Sequence, residues 1–440
     1  MSRIKVRDNS KIPKESLLTI SRLIAKIADK TLEQLENEGI FVFPELLRKA
    51  EDITKDQMIL QTVNNYYVSS NVMGFLGFGN ERLEIVSRFS RGKHDFLFQY
   101  LLERVFDVPN IVDLETDAGR EDRVFNLLVF VFPHFLRSAM RKGIYKTYVR
   151  KTYNDSNVKG TIDIARQIRE NNPFVGNVSY SQREYSFDND LMELVRHTIE
   201  FIKVKPYGNK ILAQVKDEVK DVIAATTSYD TCNRQKVIYA NKTNTIGHAF
   251  YREYRELQYL CLLILQNQKH QIGFGSKQIY GLLFDGAWLW EEYINLLVRD
   301  IFYHPMNKEN KGSQRLFDRN RGLIYPDFIS RNPENRIIAD AKYKPIDNIG
   351  NKDYLQVVAY MFRFDAQKGY YFYPEAGVAE DVIMWLNEGS TYEKNVSPRN
   401  NICIVKHGFR IPTETEDYGV FSQQMRLAET QFLSVIREKD

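Results

Sequence analysis

An aspartate stands inside an apolar run, where residues 337–342 read Ile-Ile-Ala-Asp-Ala-Lys. A carboxylate is costly to bury unless it is paired or ligated, so any fold for this chain has to bring a cation to Asp340. The flanking segments restrict that fold further. A helix with aromatic anchors Phe284, Trp288 and Trp290 is predicted over 283–302, followed by a basic loop and a strand GLIYPDFIS over 322–330. An Asn-Pro-Glu-Asn turn, a strand over 336–344, a helix over about 352–364 and a strand over 369–374 come next. Helix, strand, turn, strand, helix, strand is an order that sets helices against a mixed sheet.

Side chains alternate along a strand, so Asp340 and Lys342 project to one side, and hairpin pairing of the two strands brings Asp327 to the same end. Two carboxylates beside an ammonium suit phosphodiester hydrolysis. Hard oxygens hold Mg²⁺, the metal acidifies a bound water, and the cation offsets charge in the transition state. Pro326-Asp327 followed by Asp340-Ala341-Lys342 is the PD-(D/E)xK nuclease pattern. The tripeptide alone carries nothing, since an acid two residues before a lysine also occurs at Glu218/Lys220 and Glu309/Lys311. Only the third example lies in an apolar strand run behind a Pro-Asp. The competing reading is a structural Asp-Lys ion pair at a strand end. In the preceding helix Glu291 or Glu292 can face the site, the other being an exposed helix charge. Gln356 and Tyr360, four apart on the following helix, share a face, and Tyr360 equally suits core packing.

The rest of the 440 residues suggests about three domains: 1–92, with a helix and a β-rich part; 93–275, mainly helical; and 280–440. The fold class expected is a multidomain α+β and α/β chain. Apolar residues Leu17, Ile20, Leu23, Ile24, Ile27, Leu32 and Leu35 predict one amphipathic helix over 15–38, and Gly79-Asn80 predicts a hairpin turn. The middle region should hold helices near 93–106, 120–142, 187–204, 209–225 and 246–268 and a strand over 144–153. The net charge of +4 hides two basic stretches. Arg137, Arg141, Lys142, Lys146, Arg150 and Lys151 interleave with Tyr145 and Tyr148; Lys308, Lys311, Arg315, Arg319 and Arg321 form the second. Both can neutralise phosphates or be solvated faces.

Other chemistries find little support. The longest apolar stretch, 124–136, is shorter than a membrane span, and the charged N-terminus is unlike a signal peptide, so a cytoplasmic protein with no membrane partner is expected. Cys232, Cys261 and Cys403 are too dispersed for a CxxC site and read as reduced core residues. There is no GxxxxGK[ST] loop, Gly74, Gly77 and Gly79 read as a turn, and no two histidines pair as HxH or HxxxH, His304 being the one nearest the carboxylates.

At this point the chain resembles a known family. LLFDGAWLWEEYI, GLIYPDFIS, IIADAKYK and DYLQVVAYMF are similar to the McrC nuclease subunit of McrBC modification-dependent restriction systems and their LlaJI-type relatives. The stretches GIYKTYVRKTYNDSNVKGTIDIARQIREN, REYSFDNDLMELVRHTIEFI and YYVSSNVMGFLGFGNERLEIVSRF extend the likeness over most of 60–375. The resemblance implies a C-terminal PD-(D/E)xK endonuclease that cuts double-stranded DNA with Mg²⁺, or Mn²⁺ in its place. It also implies an N-terminal part that docks on a hexamer of a separate McrB-like AAA+ GTPase and stimulates it, in antiviral defence. Asp327, Asp340, Glu291 and the Ala341 backbone carbonyl would be metal ligands, Lys342 would act on the water, and Gln356 would support the site. Arg315, Arg319, Arg321, Lys344 and Tyr360 would meet DNA. The alternatives are a non-cleaving adaptor of a partner NTPase and a stand-alone resolvase or repair nuclease.

Overall fold

The computed structural model describes residues 2–38, 40–43, 56–91, 95–105, 122–205, 208–270, 279–305, 313–319, 321–377, 380–389, 396–413 and 415–437. It divides into two compact units, Met1–Thr116 with Phe274–Asp440, and Asp117–Gly273.

In the first unit a five-stranded sheet runs in the order Ser2–Arg7, Glu81–Val86, Val72–Phe78, Tyr280–Asp285, Ile40–Phe43. The hairpin at Gly79-Asn80 forms as the sequence predicts, Gly79 taking φ +56°. Tyr280–Asp285 enters between two N-terminal strands, antiparallel to Val72–Phe78 and parallel to Ile40–Phe43. Backbones approach so closely there that a Cβ on Gly74 would lie 2.1 Å from the Leu282 carbonyl oxygen. The helix predicted from 283 therefore starts later: Phe284 is a strand residue, and Asp285 caps helix Gly286–Val298 by accepting the Ala287 N–H at 2.8 Å. A second correction concerns 15–38, which forms a 3₁₀ turn, Lys14–Ile20, and two short helices, Ser21–Ile27 and Leu32–Asn37. Asp29 breaks the run at φ +58°, where its carboxylate accepts the Thr62 N–H and hydroxyl at 2.7 and 2.6 Å. The apolar stripe is nevertheless buried as its periodicity requires, packed against Leu76, Leu83 and Leu283.

The same unit carries a six-stranded mixed sheet in the order Phe302–Tyr303, Phe328–Ser330, Ile337–Ala341, Lys368–Ala376, Val396–Ile411, Val382–Gly389. Its central pairings, Ile337–Ala341 with Lys368–Ala376 and Lys368–Ala376 with Val396–Ile411, are parallel. Strand alternation sorts the aromatic run of Lys368–Ala376 between two faces. Tyr371 and Tyr373 join Val357, Tyr360 and Met361 of helix Asn351–Arg363, whereas Phe372 meets Phe432 of helix Tyr418–Arg437 and its carbonyl accepts the Trp290 indole N–H at 3.0 Å. Helices thus cover a mixed sheet, as the element order suggests.

The second unit combines helices Asp122–Met140, Ile164–Glu170, Asp190–Lys203, Gly208–Ala213, Lys216–Ala225, Arg234–Thr243 and Arg252–His270 with a three-stranded sheet, Thr147–Asp155, Val178–Ser186, Thr161–Ile162. The sequence reading has one strand here and misses Val178–Ser186, whose polar, weakly alternating residues give a faint signal. The predicted helix over 209–225 is two helices. No described helix is long and apolar enough to cross a membrane. Cys261 and Cys403 are buried free thiols, but Cys232 is exposed rather than in the core.

Candidate active site

Asp327 follows Pro326, which supplies no N–H and closes the short Leu323–Ile324 strand before Phe328–Ser330 begins. Its Oδ2 accepts the Ala341 N–H at 2.9 Å, tying the two predicted strands together at the carboxylate. Asp340, 1% exposed, lies one residue before the end of Ile337–Ala341, and its Oδ2 is 2.7 Å from Lys342 Nζ. Lys342 donates its backbone N–H to the Phe372 carbonyl at 2.9 Å, so its Cα is held as if the strand continued. The ammonium also lies 3.3 Å from Gln356 Oε1 and 3.6 Å from Asp353 Oδ1.

Asp327, Asp340, Lys342 and Gln356 are therefore gathered at one end of the sheet. Burial pushes the Asp327 carboxyl well above its usual range, the charges of Asp340 and then Glu291 push it the same way, and Lys342 and the Ala341 N–H oppose this. Glu291 is thus the glutamate whose charge reaches Asp327. It sits 3.7 Å from His304 Nε2, while His304 Nδ1 lies 2.8 Å from the Asp327 carbonyl oxygen.

Among the described residues no three His, Cys, Asp or Glu side chains close into a ready-made metal cluster. Mg²⁺ asks for less, binding through one or two carboxylates with waters and substrate oxygens. The raised Asp327 carboxyl bears directly on the fit: acids crowded in a dry site ionise more readily beside a divalent cation. Asp327 and Asp340 carry hard oxygens that could hold it, and the Glu291 charge reaches Asp327.

Other expected residues fall elsewhere. Tyr360 is 3% exposed and its hydroxyl accepts the Gln356 Nε2–H at 2.7 Å, so it packs in the core and orients Gln356 instead of meeting DNA. Arg315, Arg319 and Arg321 are exposed on or beside the small ladder Gln314–Arg315 with Leu323–Ile324, which leads into Asp327; Lys308 and Lys311 lie outside the described residues. Lys344 is occupied by Asp353, at 3.1 Å from Oδ1. Asp353 itself was missed. Burial would raise its carboxyl, but the Lys344 hydrogen bond, the Lys342 charge and the Gly350 N–H hold it below the usual range. Its place three residues before Gln356, on the same helix face, was the available signal.

A second missed feature grips the residue between the two lysines. Tyr343 shares a 2.6 Å hydrogen bond with Ser87, packs edge-on against Phe89 at 5.0 Å, and lies under the Arg88 guanidinium at 4.7 Å. Arg88 also donates to the Tyr343 carbonyl at 2.8 Å and to Asn71 at 2.5 Å. Residues next to the five-stranded sheet thus fix the backbone that carries Lys342.

In the second unit, much of the basic stretch is engaged internally: Lys142 pairs with Glu253 at 2.6 Å and Arg150 donates to Ser181. What faces outward is aromatic and cationic, Tyr148 and Tyr185 in contact at 5.0 Å with Lys146 and Arg183 over their rings.

The family model for the McrBC 5-methylcytosine restriction system component matches residues 68–374, a span that contains Asp327, Asp340, Lys342 and Gln356. The chain belongs to the McrBC family. No curated protein matches it. Among solved structures the McrBC chain is similar to one from a refined half-complex of a tetradecameric assembly of Thermococcus gammatolerans McrB AAA+ hexamers with bound McrC. That likeness is at 15% identity and a TM-score of 0.49, covering 97% of this chain and 100% of the other. A chain of the cryo-EM Thermococcus gammatolerans McrBC complex is similar at 16% identity and a TM-score of 0.32, over 68% of this chain and 87% of the other.

Proposed function

We propose that this McrBC-family protein is a Mg²⁺-dependent, type II/IV-like restriction endonuclease of the PD-(D/E)xK class, acting on double-stranded DNA beside an AAA+ GTPase hexamer whose turnover it stimulates. The observation that carries the reading is the convergence of half-buried Asp327 and buried Asp340 with Lys342, whose ammonium lies 2.7 Å from Asp340. A bound Mg²⁺ would supply Lewis acidity and an acidified water. The chain's residues do the rest. Asp327, tied to the strand by the Ala341 N–H, and Asp340 on that strand would present their oxygens to the metal. Lys342, steadied by Gln356 and Asp353, keeps a positive charge where the phosphate would gain negative charge. Glu291 and His304 hold the Asp327 loop from the other side. Partner docking rests on membership of the McrBC family, and the similar Thermococcus gammatolerans assembly is one of McrB AAA+ hexamers with bound McrC; the Tyr148, Tyr185, Lys146 and Arg183 surface is a candidate for it.

The test is to supply the chain, the AAA+ subunit, GTP and Mg²⁺ with modified-cytosine DNA. The expected outcome is cleavage that EDTA stops and that Asp340→Ala abolishes without loss of partner binding. Cleavage retained by Asp340→Ala, or GTP turnover stimulated with no cut DNA under any divalent cation, overturns it.

A further inference from the structure

A cleft of about 470 Å³ opens beside the catalytic strand, between Ala341–Lys344 and residues of a three-stranded N-terminal sheet of the same unit, in the order Lys11–Pro13, Tyr66–Ser69, Leu60–Val63. Its size is within the roughly 300–1,000 Å³ of ordinary ligand clefts. Its charged lining is Asp56 with Arg88, Lys342 and Lys344, whose cations are paired with Asp8, Asp340 and Asp353 respectively. Three of its lining residues carry buried polar atoms without a hydrogen-bond partner: Gln57 Oε1, Ser70 Oγ and Arg88 Nε. Ser70 is 8% exposed. Buried polar atoms are rarely left unpaired, and several lining one cleft mark a place where a polar ligand completes the bonding.

We infer that this cleft holds a nucleotide of the substrate strand adjoining the scissile phosphate, its phosphate facing the Arg88 Nε–H and its base edge facing Gln57 and Ser70. The inference rests on the nuclease reading, because the cleft shares Ala341 and Lys342 with the proposed site, so a ligand reaching both is extended and anionic. Cationic and amide groups together fit phosphate plus base better than an apolar metabolite. The N-terminal sheet thereby supplies one wall of the strand path.

The test is fluorescence anisotropy of the full chain on a labelled duplex, with Ca²⁺ in place of Mg²⁺ so that binding is read without cleavage. Gln57→Ala/Ser70→Ala should raise Kd about fivefold or more from the lost hydrogen bonds, with unchanged circular dichroism. Exposed Gln61→Ala, on the same wall and harmless to folding, should raise it about twofold. Kd unchanged in both variants, or no duplex binding by the unsubstituted chain, overturns the inference. So does saturable binding of free deoxynucleoside monophosphates that the double variant loses while its duplex Kd stays the same, since the cleft would then serve a free nucleotide. The nuclease reading is judged separately by Mg²⁺ cleavage with the unsubstituted chain.

Discussion

Replacing Lys342 with methionine keeps the length of the side chain and removes its charge. The ammonium is 2.7 Å from Asp340 Oδ2, and the two side chains are 12% and 2% exposed, so little solvent screens the pair. Removing one partner of a buried pair costs about 3–5 kcal/mol, because the remaining charge is left uncompensated. Asp327 aggravates this, since burial and, after it, the Asp340 charge already push its own titration upward. Lys342→Met should therefore lower the metal-free unfolding free energy by about 3 kcal/mol at pH 7. Asp340→Asn/Lys342→Met should recover about 2 kcal/mol of that loss, since the uncompensated charge is gone. Urea unfolding followed by tryptophan fluorescence is the assay. The chain's three tryptophans, Trp288, Trp290 and Trp385, all lie in the first unit and two of them on the helix beside the site, so the signal is local. A cost below about 1 kcal/mol for Lys342→Met, or a double variant no more stable than the single one, refutes the reasoning.

Tyr343→Phe keeps the ring under Arg88 but removes the hydroxyl shared with Ser87, and should cost about 1–2 kcal/mol in the same unfolding assay; an unchanged midpoint contradicts the clamp. Asp327 sets a pH dependence. A carboxyl raised above its unfolded value of 3.8 keeps in the fold a proton that the unfolded chain has released, so its contribution to metal-free stability falls as pH rises from about 4 through the folded value. Asp327→Asn should flatten that decline, and Mg²⁺ affinity, which needs the ionised form, should rise over the same interval; parallel profiles for the two proteins would rule this out. Asp353 runs the other way, being held below its usual range, so the stability it contributes is present at neutral pH and lost as pH falls through its folded value. Asp353→Asn should cost about 1 kcal/mol at pH 7, allowing for the 42% exposure of Lys344, and progressively less as the pH is lowered below 3.8, measured by thermal unfolding.

The carboxylate and lysine positions were legible because strand alternation and an acid in an apolar run are local signals. The buried stripe from Leu17 to Leu35 was legible for the same reason, although its division by Asp29 was not: that break depends on Thr62, which is remote in sequence. Phe284 was misassigned because an apolar run of strand length adjoining a helix gives no periodicity to separate the two, and only pairing with Val72–Phe78 decides it. Tyr360 illustrates a different limit. Spacing puts it on the face of Gln356, but whether that face meets DNA or the core is set by Ile338, Tyr371 and Tyr373 on the sheet below. The Arg88–Tyr343 clamp joins residues 255 apart in sequence and leaves no trace in either segment alone.

The central claim is that Lys342 belongs to a phosphodiester-cleaving site. Single-turnover cleavage by Lys342→Ala, with the AAA+ subunit, GTP and saturating Mg²⁺, tests it most directly. The account predicts a rate at least about a hundredfold below that of the unsubstituted chain, with GTP turnover of the complex preserved. A rate within about tenfold of the unsubstituted chain would contradict it.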